Sequence, residues 1–194
     1  DRYNIVLIFD EVKTGFRLAK GGAQEIFKVK PDIATFAKSL GNGYPIAVIA
    51  GIKDVMGKIH PGGVFHGGTY SGNPISLTAA KTTLNIMNRE NVFGHLNHYG
   101  KRLMKGIKDI FTDHGINVLV QGFPTMFQFL FTYKEEVRNY RELKYCNLEK
   151  FAKFQFELLK RGVMIDEDNE EPIYICYSHN ERDLEDTFNA FEES

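Results

Sequence analysis

Chemistry in this chain starts with an acid at the end of an apolar run. Asp10 directly follows Ile5-Val6-Leu7-Ile8-Phe9, and in α/β sheets ligands gather at the carboxyl ends of strands. A carboxylate there can hold the proton of a pyridine nitrogen, keeping the ring charged and electron-withdrawing. Its plainer use is to cap a turn or face water. Lys38 follows the segment Pro31-Asp32-Ile33-Ala34-Thr35-Phe36 and precedes Gly41-Asn42-Gly43-Tyr44-Pro45. Partial burial disfavours the charged form of a lysine and lowers its pKa. The free amine is then the nucleophile that condenses with an aldehyde. A surface lysine with its stem laid along apolar atoms is the plainer alternative. The stretch Gly67-Gly68-Thr69-Tyr70-Ser71-Gly72-Asn73-Pro74 suits a phosphate, because glycines admit close backbone approach and a helix begins just beyond. The same glycines also serve as ordinary turns.

The elements that must position these residues are readable from pattern. Ile5–Phe9 is a β-branched run suited to a strand covered on both faces, as in parallel sheets. Pro31–Phe36 and Ile46–Ile52 read as second and third strands separated by a glycine-rich turn. Asn73 as N-cap with Pro74 at the first helical position starts a helix. Leu84, Met87, Leu96, Leu103, Ile107 and Ile110 then recur at helical spacing, in a helix bent or interrupted near Asn91. Beyond Gly115 the pattern predicts strands over Asn117–Val120, Met126–Phe131, Val163–Ile165 and Ile173–Tyr177. A helix over Leu148–Lys160 stops at Gly162. Asn180 caps a last helix with Leu184, Phe188 and Phe191 on one face. These elements make an α/β portion over residues 1–111, mostly parallel sheet with helices, followed by a smaller α+β domain over residues 112–194.

Composition narrows the partners. Lys+Arg of 24 against Asp+Glu of 25 give a formal charge of -1, which offers nothing to a nucleic acid or an anionic membrane. Cys146 and Cys176 lie far apart with no metal-ligand spacing, as expected of reduced thiols in a cytoplasmic protein. No apolar run approaches the roughly 18 residues that span a bilayer. A small molecule or another protein chain is the expected partner, and no metal is expected.

Three blocks in order, Leu7-Ile8-Phe9-Asp10-Glu11-Val12-Lys13-Thr14-Gly15-Phe16-Arg17, Pro31 to Lys38, and Gly68 to Pro74, closely resemble the class III aminotransferases. These belong to the fold-type I pyridoxal-phosphate enzymes. The stretch Phe16-Arg17-Leu18-Ala19-Lys20-Gly21-Gly22-Ala23-Gln24 is most similar to the glutamate-1-semialdehyde 2,1-aminomutase branch. The resemblance covers nearly the whole chain.

The resemblance implies that Lys38 is the Schiff-base lysine and Asp10 the partner of the cofactor's ring nitrogen. Val12, otherwise a plain core valine, would pack on one face of the ring. Gly68 and Thr69 would bind phosphate, in this family usually that of the neighbouring subunit, so a homodimer with shared sites is implied. Glu171 lies where aminomutase-like members carry a glutamate near the substrate amine, and a solvated acidic loop is the other reading of Asp168-Asn169-Glu170-Glu171. His179, at the entrance of the last helix, is expected to be structural. The implied activity is an isomerisation that begins from the pyridoxamine phosphate form and acts on a small amino or keto acid. Transfer between two different substrates is the alternative, and a non-catalytic fragment is a third. The resemblance begins well inside the family's pattern. It therefore implies the C-terminal part of a larger enzyme, or a separately encoded half that needs a complementary N-terminal half.

Overall fold

A computed structural model describes residues 2–194. The chain divides into two compact units, Asp1–Phe93 and Gly94–Ser194.

In the first unit, β1 (Ile8–Asp10) runs parallel to β2 (Ile33–Phe36), with Ile8 opposite Ile33, Phe9 opposite Ala34 and Asp10 opposite Thr35. The connection between them contains a short helix, α1 (Gly22–Phe27), which ends at Lys28 in the left-handed region. After β2 the backbone turns through Lys38–Leu40 and returns as β3 (Val48–Gly51), antiparallel to β2. The order is thus β1-β2-β3, one parallel pairing and one antiparallel. The expected cover over both faces of the first strand is not supplied by the described residues. Ile5 is 72% exposed, Val6 49% and Ile8 58%; among the described residues β1 pairs with β2 alone, so its outer edge stays open as well.

A four-residue helix, α2 (Lys53–Met56), follows β3. Then α3 (Pro74–Arg89) starts as its sequence predicts: the Asn73 side chain accepts from the amides of Ile75 (3.0 Å) and Ser76 (3.2 Å), with Pro74 at the first helical position. The expected interruption near Asn91 is a break between two helices. Glu90 is extended (φ -111°, ψ 155°), and α4 (Val92–Asp113) begins after it.

The second unit is built on the apolar stripe of α4. Leu96, Tyr99, Leu103, Ile107, Ile110 and Phe111 are all buried. The antiparallel sheet β4-β5-β6 combines β4 (Leu119–Phe123), β5 (Met126–Leu130) and β6 (Ile173–Tyr174). Around it stand α5 (Leu148–Lys160) and α6 (Glu181–Glu192). The Phe111 ring lies 5.2 Å from the centroids of Phe131 and Phe154 and 5.7 Å from Phe129. This shared aromatic core explains why α4 groups with the second unit, whereas the expected boundary at 111/112 lies at the helix's other end. Val163–Ile165 is not a strand. The Ile165 carbonyl is satisfied instead by Gln155 Nε2 at 3.2 Å, so this segment needs no ladder partner. Gly162 does end α5, at φ +83°, and Asn180 with Asp183 forms a reciprocal capping box at the start of α6.

Candidate active site

Parallel pairing puts Asp10 and Lys38 at the same end of the first sheet. Asp10 closes β1, and Lys38 follows the last residue of β2 by two positions. Parallel neighbours end on one side, so register alone brings residues separated by 28 positions to the same end of the sheet. The Asp10 carboxylate is oriented by two donors, both to Oδ1: the Val12 amide at 2.9 Å and the Thr35 hydroxyl at 3.2 Å. Asp10 therefore caps a turn, as its plainer reading had it, and still presents a carboxylate whose second oxygen can take a further donor.

Lys38 is exposed, so the described residues do not supply the burial expected around its amine. Its backbone is held in the left-handed region at φ +42°, an arrangement that costs a non-glycine residue on the order of 1 kcal/mol. The local structure enforces it: the Lys38 carbonyl accepts from the amides of both Gly41 and Asn42 at 3.0 Å. Beside this turn lies a hollow of about 530 Å³ lined by Gly41, Asn42, Tyr44, Pro74, Ile75 and Thr78; neither Asp10 nor Lys38 lines it.

Val12 is half-buried, two residues past the end of β1. Gly68 and Thr69 stand exposed in the loop before α3, where the Gly68 carbonyl accepts from the Ser71 amide at 3.0 Å. No hydrogen bond joins that loop to Asp10 or Lys38 among the described residues. Glu171 belongs to the second unit. It is half-buried, its amide donates to the Asp168 carbonyl at 3.1 Å, and Tyr174 Oη lies 3.5 Å from its carboxylate. His179 has the structural setting expected of it. Its Nδ1 accepts from the Cys176 amide at 3.3 Å, and its ring stacks on Tyr99 at 5.6 Å. The cysteines are free. Among the described residues no group of three or more His, Cys, Asp or Glu could hold a metal ion, and no helix is long and apolar enough to cross a membrane.

Sequence reasoning missed two residues of this site. Thr35 sits inside an apolar strand, and only the register reveals its bond to Asp10. Glu11 is 1% exposed. Its carboxylate accepts from the Thr14 hydroxyl, from the amides of Ala23 (2.8 Å) and Gln24 (2.9 Å), and from Gln24 Nε2 (3.4 Å). Burial pushes this acid up, but those hydrogen bonds outweigh it and hold the carboxyl below its ordinary value. A signal was present: Glu11 is a charged residue at the end of an apolar run, with Thr14 three positions on.

A family model described as aminotransferase class-III matches residues 1–193. The chain is 41% identical over 191 residues to a glutamate-1-semialdehyde 2,1-aminomutase of Methanothermobacter thermautotrophicus, covering 98% of this chain and 45% of that protein. It is also 41% identical to the enzyme of the same name from Nitrosopumilus maritimus, covering 97% of this chain and 45% of that one. Among solved structures, an omega-transaminase from Sphaerobacter thermophilus superposes with a TM-score of 0.86 at 26% identity, over 99% of this chain and 44% of that one. A glutamate-1-semialdehyde-aminomutase from Pseudomonas aeruginosa in complex with PMP has the same fold, with a TM-score of 0.84 at 22% identity, over 99% and 44%. The chain belongs to the class III aminotransferase family, and it spans somewhat less than half the length of these relatives.

Proposed function

We propose that this chain supplies the lysine and acid of a pyridoxal-phosphate enzyme that moves an amino group, of the glutamate-1-semialdehyde 2,1-aminomutase type. The observation that carries the reading is the parallel β1–β2 register, which brings Asp10 and Lys38 to one end of one sheet. The donor set fits the cofactor: an exposed primary amine, a carboxylate fixed through one oxygen, and an exposed Gly68-Thr69 backbone. When bound, the cofactor acts as an electron sink for the carbon being deprotonated.

In this reading Lys38 Nζ anchors the cofactor and later carries a proton to and from the substrate's reacting carbon. Asp10 keeps the ring nitrogen protonated. Val12 packs on the ring, and Gly68 and Thr69 hold a phosphate, that of a partner subunit in a homodimer. The open edge and exposed apolar faces of β1, with a chain spanning 45% of its relatives' length, support pairing with a further N-terminal half.

Mixing the protein with pyridoxal phosphate tests the anchor. A visible absorbance band that borohydride fixes onto the Lys38 peptide, and that Lys38→Ala abolishes, is the expected result. Failure of a soluble, folded protein carrying the N-terminal half to give that band would overturn the assignment. Isomerisation of glutamate-1-semialdehyde with no added amino acceptor separates the aminomutase reading from transfer between two substrates.

A further inference from the structure

We infer that Glu11 is a positioning residue, which aims Asp10 and Val12 by locking the turn that follows β1; the inference rests on the cofactor reading above. Asp10, the last residue of β1, is exposed, whereas Glu11, the next residue, is buried. The Glu11 carboxylate gathers the Thr14 hydroxyl and the first amides of α1, at Ala23 and Gln24. The approach is close enough that a Cβ on Gly22, itself at φ +70°, would sit 2.5 Å from Glu11 Oε2. The connection from Thr14 to Gln24 is thus tied at both ends to one carboxylate.

The Glu11 backbone is fixed as firmly as its side chain. Its amide donates to the Thr35 carbonyl at 2.9 Å, and its carbonyl accepts from Gly15 at 2.8 Å. A Cβ on Gly15 would lie 2.7 Å from that carbonyl and 2.5 Å from the Phe36 ring, so the turn is closed tightly against β2. With the peptide between Glu11 and Val12 held on both sides, the Val12 amide points at Asp10 Oδ1. Removing the Glu11 charge weakens the bonds from the Thr14 hydroxyl and the α1 amides that brace this turn, and so loosens the direction of the Asp10 carboxylate and the position of the Val12 side chain. A carboxylate accepting from three residues is suited to this because it is an acceptor only, with room for several donors. Glutamine cannot reproduce it, since its amide nitrogen would face a donor.

The test uses Glu11→Gln and the gentler Thr14→Val in the protein that carries this chain, loaded with pyridoxal phosphate. Ala80→Gly in α3 serves as a destabilised control, since Ala80 is buried in a helix and its methyl takes no part in the hydrogen bonds that hold Asp10 or Glu11. The readouts are the cofactor dissociation constant, the visible circular dichroism of the bound chromophore, and the melting temperature of the cofactor-free protein. Both site variants are expected to weaken cofactor binding by about tenfold and to reduce the visible dichroism at saturating cofactor. Ala80→Gly is expected to lower the melting temperature while leaving the dichroism intact. If Glu11→Gln does not fold, Thr14→Val alone decides. Dichroism and affinity that stay at wild-type levels, or that change only as they do in Ala80→Gly, would overturn the positioning role. A wild-type protein with no visible band would instead overturn the cofactor reading, and this inference with it.

Discussion

Thr35 and Asp10 face each other across the parallel pair β1–β2, and the threonine hydroxyl donates to Asp10 Oδ1 at 3.2 Å. The Asp10 carboxylate of the candidate site is therefore oriented by the strand that leads to Lys38. A shift of one residue in that register would turn Thr35 to the other face of the sheet and leave Asp10 with the Val12 amide alone.

Thr35→Val keeps the shape of the side chain and removes only the hydroxyl. It is expected to weaken pyridoxal-phosphate binding by about fivefold, the equivalent of about 1 kcal/mol, with little loss of fold. Cofactor titration monitored by absorbance checks this. Wild-type affinity in Thr35→Val would mean that the Val12 amide alone orients Asp10.

Acid should act on the first unit through Glu11. Its carboxyl lies below the ordinary value in the folded protein, so the unfolded chain binds protons first as pH falls. The resulting stability is present above the ordinary carboxylate range and is lost as pH drops through the depressed folded value. Denaturant unfolding at pH 7 and at successively lower pH should show wild type losing more stability than Glu11→Gln. Parallel losses would place the acid sensitivity elsewhere.

Alkali should act on the second unit through Tyr99, which is 4% exposed. Burial, aided by the charges of Asp183, Cys176 and Glu181, pushes its hydroxyl up to about 12. Ionisation is thus favoured in the unfolded chain, and stability present below the ordinary tyrosine value of 10.0 is lost as pH rises towards 12. Tyr99→Phe should flatten the pH dependence of unfolding over that window. Ultraviolet titration of tyrosinate in both proteins would assign the group.

Phe111→Ala should cost about 3–5 kcal/mol by opening a cavity among Phe129, Phe131, Phe154 and Phe191. Urea unfolding followed by far-ultraviolet circular dichroism measures it. A cost below about 1 kcal/mol would show that the surrounding rings close over the gap.

Sequence legibility followed the range of the interactions. Asn73-Pro74 and Asn180 announce their helices because a cap is satisfied within three residues. Asp10 and Lys38 stood out as candidates because each sits beside an apolar segment and a turn, and the β1–β2 register puts both at one end of the sheet. Thr35 and the ties of Glu11 to α1 were not legible, since those partners lie 25 and 12–13 residues away and depend on register and on the path of the connection. The Thr14 bond of Glu11, three residues on, was the local signal. The short helix α1 was missed for the same reason: its first amides are satisfied by Glu11 rather than by a neighbouring side chain. Val163–Ile165 has the composition of a strand, but a glutamine of α5 answers its carbonyl and no ladder forms.

The left-handed backbone at Lys38 sets two selections against each other at one position. Glycine would occupy φ +42° without strain, yet glycine has no amine. A library of this chain sorted only for expression or heat resistance should drift towards glycine or asparagine at position 38, while one sorted for cofactor capture should hold lysine. The spread between the two enriched populations would measure, in competing cells rather than in a cuvette, how much folding stability the chain forgoes to keep the amine that the proposed function assigns to position 38.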